Sequence, residues 1–183
     1  SSEAIQLAQQ VSKDAQLESK FVATDVYSVG EHITDMFDIV FTSYGTIVWL
    51  DDLDKWARVI ADRLKTGGFF YMIDFHPLVE AFDTSTLEIK YPYFNEGPIE
   101  EFSEHTYTNG PELNMTEISF SHSFGEIFNA LLGVGLKLEH FNEFDYATHN
   151  CFENMEERAA GEFIFKNRTV NVPMMYSMKW TKD

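Results

Sequence analysis

The chain has 183 residues, 44% hydrophobic and 23% charged, which places it among globular domains rather than disordered or fibrous chains. Thirteen Lys and Arg against thirty Asp and Glu give a net charge of −17, which repels phosphate backbones and anionic lipid, so neither nucleic acid nor a membrane surface is an expected partner. The single cysteine, Cys151, excludes an internal disulfide framework and a Cys-based zinc cluster, and is expected to pack as a small apolar residue. The longest apolar run, residues 37–50, is broken by Asp38, Thr42, Ser43, Gly45 and Thr46 and falls short of a membrane span. No basic segment followed by an apolar core opens the chain, and a cytoplasmic address is expected.

Ala4, Leu7, Ala8, Val11 and Ala15 recur at helical spacing and predict a helix over residues 2–17. Two short, nearly continuous apolar runs follow, residues 20–24 ending at Asp25 and residues 37–41. Both predict strands covered on both faces. Leu53, Trp56, Ala57, Ile60, Ala61 and Leu64 form a helical stripe, opened by Asp51 or Asp52 as cap and closed by Gly67-Gly68. Residues 69–73 then read as an apolar strand ending at Asp74, so strand, helix and strand form a parallel crossover unit.

From His76 to His122 aromatic residues mix with Pro, Gly and Glu, with short strands plausible at 87–91 and 117–120; such a long connection reads as a lid or binding loop. Ser123 and Glu126 have capping-box spacing before the apolar face Phe124, Ile127, Phe128, Leu131 and Leu132, and Gly133 and Gly135 end that helix. Residues 136–141 alternate as a strand, 143–158 read as irregular or partly helical, and 174–180 alternate again. The two strands are expected to pair antiparallel at a sheet edge.

The order of these elements, with the runs Phe21-Val22-Ala23-Thr24-Asp25-Val26, Phe37-Asp38-Ile39-Val40-Phe41-Thr42-Ser43 and Leu64-Lys65-Thr66-Gly67-Gly68-Phe69-Phe70, resembles the class I S-adenosylmethionine-dependent methyltransferases. The resemblance covers essentially the whole chain. It implies an α/β, doubly wound, Rossmann-like sheet, mostly parallel with an antiparallel C-terminal edge hairpin, in a single domain of residues 1–183 with residues 77–122 as an inserted substrate lid. One family feature is missing: no glycine-rich turn follows a strand, since Gly67-Gly68 and Gly133-x-Gly135 both follow helices. The segment from Ser1 to Ala4 looks like the start of the helix after the family's second strand. By that reading the family's first two strands precede Ser1, leaving a gap of about 14 Å between the Phe21 and Phe37 strands. The Phe21 strand would then have to move beside Phe37 or pair with another molecule.

The resemblance implies S-adenosylmethionine as cofactor, with the Asp25 carboxylate and Val26 N–H on the adenine and Thr42, Ser43 and Tyr44 near the methyl donor. Ligands in open α/β sheets sit beyond the carboxyl ends of the strands, which independently favours these positions. His76 is a candidate general base, because imidazole titrates near neutrality. Asp74, Tyr91, Tyr107 and His122 are candidate contacts to a small-molecule substrate, neutral or cationic rather than anionic. The histidines match no compact ligand motif, so no metal is assigned. A homodimer is an allowed assembly. Two other readings stand beside methyl transfer: a non-catalytic, degenerate Rossmann-like interaction module, and a nicotinamide-dependent oxidoreductase.

Overall fold

In the computed structural model, residues 2–83, 85–103, 114–152, 154–166 and 171–183 are described. The chain runs through α1 (Ser2–Asp14), α2 (Val29–His32), β1 (Phe37–Ser43), a 3-10 turn (Ile47–Trp49), α3 (Leu53–Arg63), β2 (Leu64–Phe75) and α4 (Pro77–Glu80). It continues through β3 (Ile99–Ser103), β4 (Met115–Ser119), α5 (Phe124–Gly133), β5 (Lys137–Phe144), β6 (Met155–Ala159), β7 (Glu162–Phe165) and β8 (Met175–Thr181). Two of the helix starts follow from side-chain chemistry: Asp52 accepts from the Lys55 N–H at 2.9 Å and Ser123 from the Glu126 N–H at 3.3 Å.

The main sheet has the order β1-β2-β8-β5. β1 pairs parallel with β2, and β8 pairs antiparallel with both β2 and β5, so β1, β2 and β5 all point the same way. Phe70 and Met72 of β2 and Tyr176, Met178 and Trp180 of β8 turn to one face, where Trp56 and Ile60 of α3 and Ile127 and Leu131 of α5 cover them. Each such side chain contributes about 1.5–3 kcal/mol by leaving water. A second cluster, built on Val79, Ala147, Met155, Met174 and Met175, lies beyond the carboxyl ends of β2 and β5.

Several expectations are corrected. Residues 20–24 form no strand: Val22 and Ala23 face solvent, and no described strand offers them a ladder. The sheet therefore has no gap; it stops at β1, whose outer edge is open. β1 is not covered on both faces, since Ile39 and Phe41 are 54% and 57% exposed. The sheet is not mostly parallel, because β8 inserts between two co-directional strands and makes two of the three pairings antiparallel. For the same reason β8 is interior and β5 is the edge. Nor is it doubly wound in the expected sense: the apolar stripes of α3 and α5 share one core and so sit on the same face.

The glycine pair does not close α3. Leu64 turns extended at the helix end, and the Lys182 ammonium takes the Ala61 and Leu64 carbonyls at 2.6 and 2.9 Å. The glycines instead form a bulge in β2, where the register slips from Phe37↔Leu64 to Ile39↔Phe69. Residues 87–91 contribute a single bridge, Phe82↔Ile89, rather than a strand. Among the described residues of 143–158 there is no helix; β5 runs to Phe144, and β6 turns back on β7 through Ala160-Gly161. The strand expected at 117–120 is β4, paired with β3.

Gly68 lies where a Cβ would stand 2.8 Å from the Asp38 carbonyl oxygen. Gly68→Ala should therefore lower stability by about 1–3 kcal/mol, read as a shifted urea midpoint. An unchanged midpoint would mean that the bulge yields freely.

Candidate active site

Because β1, β2 and β5 are co-directional, their carboxyl ends open onto one region, and a cavity of about 550 Å³ lies there. Such a volume is ordinary for a small-molecule site. Val48 and Trp49 after β1, and Phe75, Glu80 and Phe82 at and after β2, make one wall. Asn150, Cys151 and Phe152 after β5 make another, and the β3–β4 hairpin with Tyr91 and Phe120 closes over it. The Phe120 N–H donates to the Val48 carbonyl at 2.8 Å, tying the end of the hairpin segment to the loop after β1.

Asp74 organises this corner. It is 1% exposed, and its carboxylate accepts from the N–H groups of Gly45, Thr46 (3.2 Å) and Phe75 (2.8 Å). Burial pushes its pKa up, against the pull of those backbone donors. It holds the loop after β1 and does not line the cavity. Glu80, one turn into α4, does line it, and sequence reasoning missed it. Burial first, and the like charge of Asp74 second, hold its pKa well above the usual carboxylate range. Among the described residues nothing donates a hydrogen bond to its carboxyl. The available signal was an acidic residue inside the apolar run Pro77–Ala81, directly after a strand end. The Tyr176 hydroxyl, 3.7 Å from Met72 Sδ, is likewise pushed up by burial and by both carboxylates.

The other sequence-predicted residues fall in several places. Both nitrogens of His76 are engaged: Nδ1 accepts from the Leu78 N–H at 3.0 Å, capping α4, and Nε2–H donates to Glu143 at 2.9 Å. Burial lowers its pKa, partly offset by Glu143. Accepting a further proton would require one of these bonds to open. Tyr91 lines the cavity, its hydroxyl donating to Glu101 at 2.6 Å beneath Lys90, whose Nζ is 4.7 Å from the ring centroid. His122 is buried outside the cavity lining, donating through Nε2–H to the Leu50 carbonyl at 2.8 Å, with Nδ1 3.1 Å from Glu126 but off the hydrogen-bonding direction. Tyr107 lies outside the described residues. Cys151 packs as expected, its Sγ 3.8 Å from Met155 Sδ, and burial pushes its thiol up to about 11. Among the described residues no three His, Cys, Asp or Glu stand close enough to hold a metal, and no helix is long and apolar enough to cross a membrane.

Asp25 is exposed and accepts from the Ser28 N–H at 3.0 Å. Val26 and Thr42 line a second groove of about 360 Å³ between the free side of β1 and α3. Tyr44 donates its N–H to the Ile73 carbonyl, and the Ser43 carbonyl accepts from the Thr46 hydroxyl.

No protein-family model and no curated protein matches the chain. Solved structures do resemble it. An S-adenosylmethionine-dependent methyltransferase from Clostridium acetobutylicum superposes with a TM-score of 0.63 at 12% identity, over 100% of this chain and 72% of its own. A methyltransferase of the same kind from Methanosarcina mazei superposes at 0.56 and 15% identity, over 100% of this chain and 78% of its own. The chain therefore has the α/β, mixed-sheet fold of the S-adenosylmethionine-dependent methyltransferases, and the resemblance read from the sequence holds at the level of fold.

The apolar walls of the groove suit a flat ring such as that cofactor's adenine, while Asp25, directly before Val26 in sequence, is not among the residues that line it. For its amino-acid end the groove residues offer one charged group. Arg63 is the one charged residue lining the groove, and its guanidinium donates to the Ile33 carbonyl at 2.7 Å.

The raised pKa of Glu80 predicts a pH-dependent cost. Below its ordinary value the carboxyl is protonated both folded and unfolded; as pH rises through the raised folded pKa, the unfolded chain ionises more readily and stability is lost. Glu80→Gln should thus gain stability relative to the parent as pH rises above the ordinary carboxylate range, read from urea midpoints. A gap independent of pH would contradict the desolvation of Glu80.

Proposed function

We propose that the chain transfers a methyl group from S-adenosylmethionine to a small-molecule acceptor held in the cavity. The observation that carries this reading is an aromatic-walled cavity at the shared carboxyl ends of β1, β2 and β5, in a methyltransferase fold. In this reading Asp25 and Val26 would hold the adenine of the cofactor and Thr42, Ser43 and Tyr44 would stand near its methyl donor; when bound, the cofactor supplies an electrophilic methyl on a sulfonium.

The chain's own contribution is position and dryness. An in-line displacement needs the acceptor atom aligned and water kept out, and both can be met without a catalytic triad. In this reading the connection after β2 acts as the lid, and its described residues Tyr91, Ile99, Ser119 and Phe120 line the cavity. Asp74 keeps the β1 loop against the opposite wall. A non-catalytic module is the second reading, favoured by the engagement of Arg63, the one charged residue lining the groove, with the Ile33 carbonyl.

Calorimetric titration with S-adenosylmethionine separates the two. Binding by the parent chain, weakened about ten- to a hundredfold by Asp25→Ala and retained by a distant surface variant, is the expected result. No binding by the parent chain would favour the interaction module. Equal binding by both forms would remove Asp25 from the site.

A further inference from the structure

The outer edge of β1 is ready to take a strand. In a parallel ladder every second residue turns its N–H and C=O toward the same neighbour. Tyr44 donates to the Ile73 carbonyl of β2 at 2.9 Å, so Thr42 and Val40 also face β2, while Ile39 and Phe41 point their backbone groups outward. No described strand takes them, and both side chains are exposed. An open apolar edge of this kind is a template for a further strand.

Side-chain contacts show which segment runs beside it. Lys20 Nζ lies 4.0 Å from Asp35 Oδ2, just before β1 begins. The Tyr27 hydroxyl donates to Asp51 Oδ1 at 2.7 Å and accepts from the Asp52 N–H at 3.0 Å, at the start of α3. Arg63, at the end of α3, donates to the Ile33 carbonyl at 2.7 Å. Because α3 runs back from the carboxyl end of β1 to the amino end of β2, these contacts fix the direction of the chain. Residues 20–25 pass from the amino end of the sheet to its carboxyl end, and residues 27–33, with α2, return along α3. The Asp25 carboxylate accepts from the Ser28 N–H at 3.0 Å and turns the chain between these two legs. That is the path of a strand and its crossover helix. In the structure the run Phe21-Val22-Ala23-Thr24 is unpaired, with Val22 and Ala23 exposed, so the step that remains is a sideways closure onto β1.

The connection, residues 26–36 with α2 inside it, has about the dozen residues that a parallel crossover needs. Val29 and Ile33 line the groove together with Trp56, Val59 and Ile60, which puts α2 on the face that α3 covers. With β1 between the new strand and β2, both crossovers then share one hand, as the strong right-handed preference of such units requires. The aromatic and β-branched residues of the run suit cross-strand contacts with Ile39 and Phe41. We propose that residues 21–25 add to the free edge of β1 as a parallel strand, extending the four-stranded sheet and carrying Asp25 to its carboxyl end near Thr42 and Ser43. The pairing stands on the path of the chain; only the use of Asp25 by a cofactor there rests on the proposed methyl transfer.

Amide hydrogen exchange on the full chain, read residue by residue by NMR, tests the pairing. Ile39 and Phe41 should exchange about tenfold or more slowly in the parent than in the double variant Val22→Pro/Ala23→Pro, one of whose rings must face β1 and remove a ladder donor. Val40 and Thr42, bonded to β2, and the α3–α5 core should keep their protection in both forms. Ile39 and Phe41 exchanging as fast in the parent as in the variant overturns the proposal. Protection that rises with protein concentration and survives in the variant overturns it as well, because a second copy then occupies the edge. If the variant fails to fold, the parent decides alone: Ile39 and Phe41 as slow as Val40 and Thr42 at every protein concentration supports the strand, and free exchange at Ile39 and Phe41 overturns it. No cofactor enters the measurement, so the pairing and the methyl-transfer reading stand or fall separately.

Discussion

The architecture around the cavity hangs on one buried carboxylate. Asp74 ends the strand that lies between β1 and β8, and its oxygens gather the N–H groups of Gly45 and Thr46 from the neighbouring loop as well as that of Phe75. Gly45 takes φ +66°, a conformation that glycine adopts at least cost, so the chain can turn sharply enough to bring these donors inward. Thr46 leads straight into the turn that carries Val48 and Trp49, and Val48 in turn receives the Phe120 N–H. Strand end, loop, aromatic wall and hairpin are thus linked by hydrogen bonds in series. Removing the first weakens what positions the rest.

The same carboxylate sets the electrostatics. When ionised, it places a negative charge inside the fold that raises the pKa values of Glu80 and of the Tyr176 hydroxyl. Two acidic groups in one poorly solvated corner cannot ionise with equal ease, and the one without donors yields.

Elements with a strong local signal were legible in the sequence. The α3 stripe, the Asp52 and Ser123 caps and the β5–β8 pairing needed only periodicity and capping chemistry. The run Phe21–Thr24 has the same composition as a buried strand, yet strand formation depends on a partner that no local pattern specifies. Gly67-Gly68 carried the signature of a helix stop, while the fold uses them for a bulge pressed against β1 and gives the stop to Lys182, over a hundred residues away in sequence. In the site, Asp74 and Tyr91 stood out as an acid at a strand end and an aromatic in a long loop. Glu80 did not, because its place on the cavity wall near Asp74 is created only by the tertiary structure.

The account's central claim is that Asp74 holds the cavity wall together, and amide hydrogen exchange in Asp74→Asn tests it most directly. An Asn side chain keeps the size but replaces one accepting oxygen by a donor facing backbone N–H groups. Protection should fall at Gly45, Thr46 and the Val48–Trp49 wall, and at Phe120 beyond it, while the α3–α5 core keeps its protection. Unchanged exchange at Gly45 and Thr46, or a loss spread evenly over the whole core, would contradict the claim.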